Sequence, residues 1–427
     1  MHPREDSMTR LRLSNVLLPA AFFCVAAIGS RAQGFTTLLT FDGDHGANPK
    51  SVTLVQASDG DLYGTTSSGG STANCSGGCG TIFKIGLDGK LTTLHNFCEQ
   101  PDCTEGTGPQ AGLIQAKDGN FYGTTVGGGA HNGNGTVFKM TPAGEVTTIY
   151  SFCAMQNCAD GYNPYAALVQ GADGNLYGTT SGGGTKDSGT VFKITSAGEL
   201  TTLYSFCTKP DCTDGSNPVA ELTQSTDGSL YGMTSQGGKG SGTIYQITSS
   251  GALSTLYTFC SKPQCTDGGN PKGGLIQARD GSFYGTTFSG GSGNAGTFFE
   301  VTAEGALTTI FSFCTGCAIG GSPYSTLVQG TDGNFYGTAY YGGATGQGTV
   351  FKATPPPKVT PPSKVKPTWK VTALHSFDGS DAYPIAALMQ AADGNLYGTT
   401  FNGGSNPKCL NSGGCGTVFR LSIGAGK

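Results

Sequence analysis

Charge is scarce in this sequence. Of 427 residues, 12% are Asp, Glu, Lys or Arg, about half the usual share. A disordered chain would carry more charge and fewer aromatics than the 10% found here, so extensive disorder is excluded. The formal charge is −4, so the basic excess typical of a nucleic-acid binder is absent. Tryptophan occurs once and histidine five times; with His95 and His375 at strand positions, only His45 and His131 remain in mature loops, too few for a His-based metal centre. Long apolar runs are missing as well. The run Val16–Ile28 is too short to span a bilayer as a helix. Glycine is in excess, with 72 residues, but without the every-third-residue period of collagen. Abundant Gly beside retained Tyr and Phe points to short strands joined by tight turns, hence an all-β fold.

The N-terminus is organised for export. Arg4, Arg10 and Arg12 precede the apolar run, and Ser30-Arg31-Ala32 follows it. That order of basic, apolar and small-x-small segments is a secretory signal peptide, residues 1–32. Cys24 follows Phe23, where a lipoprotein signal has a small residue, so no lipid anchor is expected. The mature chain, 33–427, is expected to be secreted, with the periplasm as the other destination.

The remaining 14 Cys fall into seven pairs close in sequence. These are Cys75 with Cys79, Cys98 with Cys103, Cys153 with Cys158, Cys207 with Cys212, Cys260 with Cys265, Cys314 with Cys317, and Cys409 with Cys415. An even set at short spacing in an exported chain reads as disulfides. Each closes a short loop and contributes roughly 2 kcal/mol by chain entropy. Zinc is the rival, but only Cys314 and Cys317 have the two-residue spacing of paired thiolates, and no His accompanies any pair. The sequence calls for no metal and no cofactor.

One unit is written seven times. The Tyr of a Leu/Phe-Tyr-Gly element recurs at Tyr63, Tyr122, Tyr177, Tyr231, Tyr284, Tyr336 and Tyr397, in steps of 52 to 61 residues. Each unit reads as four strands: A, Leu-Val-Gln-like after a Pro; B, Leu-Tyr-Gly-Thr-Thr; C, Gly-Thr-Val-Phe-Lys-Ile; and D, Leu-Thr-Thr-Leu-Tyr-Ser-Phe. β-Branched and aromatic residues fill them. Asp-Gly stands between A and B in all seven units, from Asp59-Gly60 to Asp393-Gly394, and favours a tight turn. Four antiparallel strands repeated seven times predict a seven-bladed β-propeller. The last unit ends after strand C, at Leu421, while Phe35–Phe41 is an orphan strand D. The N-terminal strand is therefore expected to complete the last blade and close the ring. A Pro-rich insertion, residues 355–369, interrupts the C–D connection of unit six and reads as a linker or a partner-docking excursion.

These units resemble the GloVer tandem repeat of bacterial exported "choice-of-anchor" proteins. The resemblance rests on Asp-Gly-Asn-Leu-Tyr-Gly-Thr-Thr (173–180) and Gly-Thr-Val-Phe-Lys-Ile-Thr (189–195), and covers about residues 35–423. It implies placement at the surface or outside the cell, without an established activity. The repeats are followed by Gly424-Ala425-Gly426-Lys427 rather than an apolar tail, so free secretion is expected.

Candidate functional residues lie where the repetition breaks. The B–C and D–A loops should share one face, because successive strands reverse, and all seven Cys pairs fall in those loops. After Gly-Thr-Thr, units five to seven carry Phe288, Tyr340 and Phe401, with Tyr341 beside Tyr340. Tyr324 and Tyr383 come from nearby D–A loops. The set reads as a stacking platform, for carbohydrate, or as packing between blades. Glu105, Asp160, Asp214 and Asp267 recur near loop exits and read as Ca²⁺ ligands or as Asx-type turns before Pro. Glu221 is acidic where sibling units carry Ala, Gly or Thr. With a second channel carboxylate it would serve as general acid or base. The recurrent Gln (Gln56, Gln115, Gln170, Gln224, Gln277, Gln329, Gln390) would ring the channel as a polar pore, or would satisfy backbone groups of neighbouring turns. His95 and His375 sit where other units carry Tyr, and so read as strand residues.

The expected protein is a monomeric, secreted binding module for a polysaccharide or a surface partner. The alternatives are a glycan hydrolase or lyase and a purely structural surface protein. No nucleic acid and no membrane span are expected. N-terminal sequencing of the exported protein should read Gln33 as its first residue; an intact Met1 or Met8 terminus would remove the leader assignment.

Overall fold

Blade 3 shows how one repeat folds. Strands A (Val169–Gln170), B (Leu176–Thr180), C (Thr190–Ile194) and D (Leu200–Ser205) pair antiparallel in that order. In the A–B turn, Asp173 accepts the Asn175 N–H at 3.1 Å on one carboxylate oxygen and the Tyr177 hydroxyl at 2.7 Å on the other. The Asp of Asp-Gly therefore builds the turn and also anchors the recurrent Tyr. The same Asp–Tyr bond joins Asp59 to Tyr63, Asp118 to Tyr122, Asp280 to Tyr284, Asp332 to Tyr336 and Asp393 to Tyr397. Gly178 explains the Gly of strand B. A Cβ there would lie 2.6 Å from the Phe192 ring on strand C and 2.8 Å from Leu168. Only Gly lets the ring lie flat across the strand.

The computed structural model describes residues 34–71, 74–357, 368–406, 409 and 413–424. The expected leader and the 358–367 part of the insertion lie outside the described residues. Blades 1, 2, 4, 5 and 6 span residues 55–96, 114–151, 223–258, 276–314 and 328–376. In blade 7, Met389–Gln390, Leu396–Thr400 and Thr417–Ser422 are joined by Gly34–Thr40 as the outermost strand. Gly34–Thr40 runs antiparallel to Thr417–Ser422. The fold is thus an all-β, seven-bladed propeller of four-stranded antiparallel sheets, closed by the N-terminal strand. The remaining regular elements among the described residues are three short loop strands and short 3₁₀ turns.

Two contacts, each repeated seven times, join the blades. The Phe that ends each strand D meets the strand C aromatic of the next blade edge to face. The pairs are Phe41–Phe83, Phe97–Phe138, Phe152–Phe192, Phe206–Tyr245, Phe259–Phe299, Phe313–Phe351 and Phe377–Phe419, with centroids 5.1–5.5 Å apart. All seven terminal Phe are essentially inaccessible. Such pairs add about 0.5–1.5 kcal/mol each beyond area burial. Nearer the axis, the Gln at the end of each strand A clasps two turns. Gln170 donates to Gly174 O of its own turn and accepts the Lys117 N–H of the preceding blade. The chain of clasps returns on itself, because Gln56 accepts the Ala392 N–H of blade 7. The Gln ring therefore satisfies backbone groups of neighbouring turns, the second of the two roles its sequence allowed.

Replacing Gln170 with Ala removes both bonds at a half-buried seam. The expected cost is about 1–2 kcal/mol, read as a lowered midpoint in denaturant. An unchanged midpoint in a double variant, Gln170→Ala with Gln224→Ala, would show that the clasp does not stabilise the ring.

Candidate functional site on the disulfide face

The D–A and B–C loops lie together at one end of the ring. In each blade a D–A loop residue pairs with the start of a B–C loop, as Tyr162 does with Gly182 and Gly269 with Ser289. In blades 6 and 7 this becomes short strand pairing, Gly321–Pro323 with strand B and Asp381–Ala382 with Asn402–Gly403. The seven expected disulfides are all formed in these loops. In the D–A loops Cys98 is bonded to Cys103, Cys153 to Cys158, Cys207 to Cys212, Cys260 to Cys265 and Cys314 to Cys317. In the B–C loops Cys75 is bonded to Cys79 and Cys409 to Cys415. One face therefore carries every crosslink, as the alternation of strand direction implied. The four sulfurs of Cys75, Cys79, Cys98 and Cys103 lie within 4.8 Å of one another. Two separate loops bring them together, and they are bonded as two disulfides.

The acidic residues of the loops are internal fasteners. Asp160 is fully buried and accepts from the Tyr150 hydroxyl and from the N–H groups of Ala154 and Met155. Asp214 and Asp267 repeat this on Tyr204 and Tyr257. The carboxylates therefore reach back into the disulfide loop before them, where the Asx reading had them turning the chain ahead of Pro. Bonded in this way, they satisfy the loop's own donors. In the first loop His95 replaces Tyr and Glu105 replaces Asp, 3.5 Å apart. Burial holds the His95 imidazole below its ordinary pKa, against the pull of Glu105 and Glu99. His375 is stacked on Phe35 with centroids 3.6 Å apart, and is likewise lowered by burial. Both are strand D residues, as their positions in the repeat implied.

The sequence-predicted aromatics form two contiguous groups. Phe288 meets Tyr324 edge to face at 6.0 Å. Tyr340 contacts Tyr341 at 4.4 Å and Tyr383 at 5.0 Å. Tyr341 is 41% exposed, and the others are half-buried. The Phe401 N–H donates to Tyr383 O, and the Phe401 carbonyl accepts from Asn48. Burial raises the Tyr340 phenol, helped by Tyr341, Tyr383 and Tyr324.

Tyr324 also lines a cavity of about 270 Å³ to which all seven blades contribute. Its lining is the segment leading into each strand A, so it lies on the ring axis at the disulfide end. Two tiers build it. The outer tier is the residue after each recurrent Pro: Lys50, Gln110, Tyr165, Val219, Lys272, Tyr324 and Ile385. The inner tier, just before each buried Leu, includes Thr53, Ala167, Glu221, Gly274, Thr326 and Ala387. Tyr165 and Tyr324 come from blades three apart and face across the mouth. Burial raises the Tyr324 phenol, with Tyr165 adding to it. Glu221 extends across Gly274, where a Cβ would lie 2.7 Å from the Glu221 Cγ. Thr326 accepts the Gly274 N–H at 2.6 Å, and its hydroxyl is turned to Glu221. Burial raises the Glu221 carboxyl above the usual carboxylate range, and the Thr326 bond only partly offsets this. Burial also lowers the Lys50 and Lys272 ammonium groups.

Sequence reasoning placed Glu221 in the channel but found no partner for it. Lys50, Lys272 and Tyr165 were missed. A signal for them exists: the residue after the repeated Pro takes five identities across the seven units, while the Pro itself never changes. Among the described residues no second carboxylate lines the cavity. One carboxylate beside two ammonium groups is not the oxygen cage that Ca²⁺ requires.

Among known proteins, the model of the Gloeobacter/Verrucomicrobia repeat matches residues 24–241, 153–277 and 224–427. No curated protein matches the chain. Similar solved structures share 11–14% identity. They include a protein titled a gluconolactonase (TM-score 0.42, 72% of this chain and 89% of that one). A second, from Thermus thermophilus, is titled an oxidoreductase, glucose dehydrogenase (0.43, 91% and 100%). A third is titled a luciferin-regenerating enzyme (0.45, 91% and 95%).

The buried carboxyl gives a pH signature. A raised folded-state pKa favours folding at low pH, and that stabilisation is lost as pH rises through the folded value. Glu221→Gln removes the penalty. Its thermal midpoint should exceed that of the parent protein at neutral pH, and the difference should shrink on acidification toward the ordinary carboxylate range. Parallel curves for the two proteins would contradict the burial-driven shift.

Proposed function

The chain belongs to the Gloeobacter/Verrucomicrobia repeat family, and we propose that it is an exported, monomeric binding module that takes a carbohydrate at the axial cavity of its disulfide face. In this reading residues 1–32 are a leader removed at export. Support for export comes from seven disulfides, which persist in oxidising compartments. Among the described residues no helix is long and apolar enough to cross a membrane.

The observation that carries the binding reading is the cavity itself. It is a concave, polar-lined site with contributions from every blade. Tyr324 of its lining meets Phe288 edge to face, and the aromatic group of Tyr340, Tyr341 and Tyr383 stands on the same loop face. Aromatic faces beside a cleft with a few fixed polar groups suit sugar rings, which have apolar faces and hydroxyl edges. Rigid blades hold the site, so little ordering cost opposes binding.

A hydrolase or lyase reading has one feature in its favour, a Glu221 carboxyl that burial shifts upward inside a cavity. Among the described residues the lining holds no second carboxylate of the kind that paired-carboxylate glycoside hydrolysis uses. A glycan array probed with the mature protein, run beside a hydrolysis assay, separates the two. Binding without turnover is expected. Tyr324→Ala and Tyr340→Ala should each weaken binding by about tenfold, with stability retained. Unchanged binding in both variants would remove the aromatic rim from the site, and turnover abolished in Glu221→Gln would establish the enzyme reading instead.

A further inference from the structure

We propose that the axial cavity selects an anionic sugar residue, such as a uronate, whose carboxylate is held between Lys50 and Lys272. This rests on the binding reading above and adds the charge of the ligand. Lys50 and Lys272 line the cavity from blades 1 and 5, three blades apart around the ring and so on opposite sides of the mouth. Both are half-buried. Neither makes a hydrogen bond or ion pair with any described residue. Three other lysines, Lys84, Lys139 and Lys352, are paired with carboxylates of their own turns. Two unpaired ammonium groups lining one small cavity lose hydration, which costs stability unless something negative enters.

The only acid in the described lining is Glu221, one tier deeper, and its hydrogen-bond partner is Thr326 rather than either lysine. The groups facing Glu221 across the cavity are Lys50, Lys272, Tyr165 and Tyr324. With the Glu221 carboxyl neutral, the cavity presents two positive charges. With it ionised, the balance falls to one. In both states an anion is favoured, and more so when Glu221 holds its proton. The size fits a terminal residue rather than a threaded polymer, since about 270 Å³ is at the small end of ligand pockets. Tyr165 and Tyr324 flank the mouth and supply the faces against which the sugar ring packs. A sugar with a carboxylate therefore meets complementary groups at its edge and at its faces.

Calorimetric titration of the mature protein with trigalacturonate and with its methyl ester isolates the charge, since the two differ little otherwise. The acid should bind, and the ester should bind at least about tenfold more weakly. Lys50→Ala and Lys272→Ala should each lose about tenfold for the acid and leave the ester unchanged. Affinity for the acid should fall as pH rises through the Glu221 titration, and Glu221→Gln should abolish that dependence while keeping the affinity. Equal binding of acid and ester would overturn the charge inference and leave the sugar-binding reading standing. If neither binds to folded protein, the inference fails. A glycan array on which neutral sugars are silent too would take the binding reading with it.

Discussion

Everything in this ring depends on the seam between blades. A four-stranded sheet of this length cannot bury both its faces alone, so each blade is stable only against two neighbours. The seam has an apolar outer half, where the strand D Phe edges onto the next strand C aromatic. It has a polar inner half, where a Gln bonds turns of two blades. The first supplies burial. The second fixes register, because an amide reaching across a narrow gap tolerates little sliding. The Gly of strand B serves the same seam, since it admits the Phe ring that the neighbour then contacts. Closure makes the seams cyclic: Phe41 on Phe83 and Gln56 with Ala392 are ordinary seams that join the first and last blades.

The two ends of the ring are built differently. At one end, Asp-Gly turns are short and nearly identical, and their carboxylates bond the turn and the Tyr. At the other, longer loops carry all seven disulfides and the buried Asp fasteners. In loops such as that of Cys153 and Cys158, the Cys themselves adopt positive φ, 62° and 50°, a conformation L-residues seldom take. The crosslink and the Asp160 carboxylate hold that backbone in place. A rigid loop end framing a cavity on the symmetry axis is where residues can vary without disturbing the seams. The variation is found there, in the tier of Lys50, Gln110, Tyr165, Val219, Lys272, Tyr324 and Ile385.

Much of the fold was legible because it is written repeatedly. Seven copies of Leu-Tyr-Gly-Thr-Thr and Asp-Gly expose strand, turn and blade count, and the orphan Phe35–Phe41 segment exposes closure. The roles of Gln and of the loop acids were left with two readings each, because their partners lie in another blade or in a buried loop. Gln170 bonds a backbone group 53 residues away, and no local pattern carries that information. The candidate site was read in part. The aromatics after Gly-Thr-Thr stood out as departures within a repeated frame. Lys50 and Lys272 did not, since a single Lys on a loop is ordinary until seven loops are brought to one axis.

By itself the sequence determined the strand pattern, the number of blades, the closing strand and the pairing of the cysteines. All of these follow from local chemistry: tight turns need Asp-Gly, strands need β-branched and aromatic residues, and short loops pair neighbouring Cys. Only the tertiary structure decided which side chains meet at the axis. Ring closure places positions about 50 residues apart at equal distances from one line, and burial there shifts their pKa values. The raised carboxyl of Glu221 and the two unpaired lysines above it exist only once that line does.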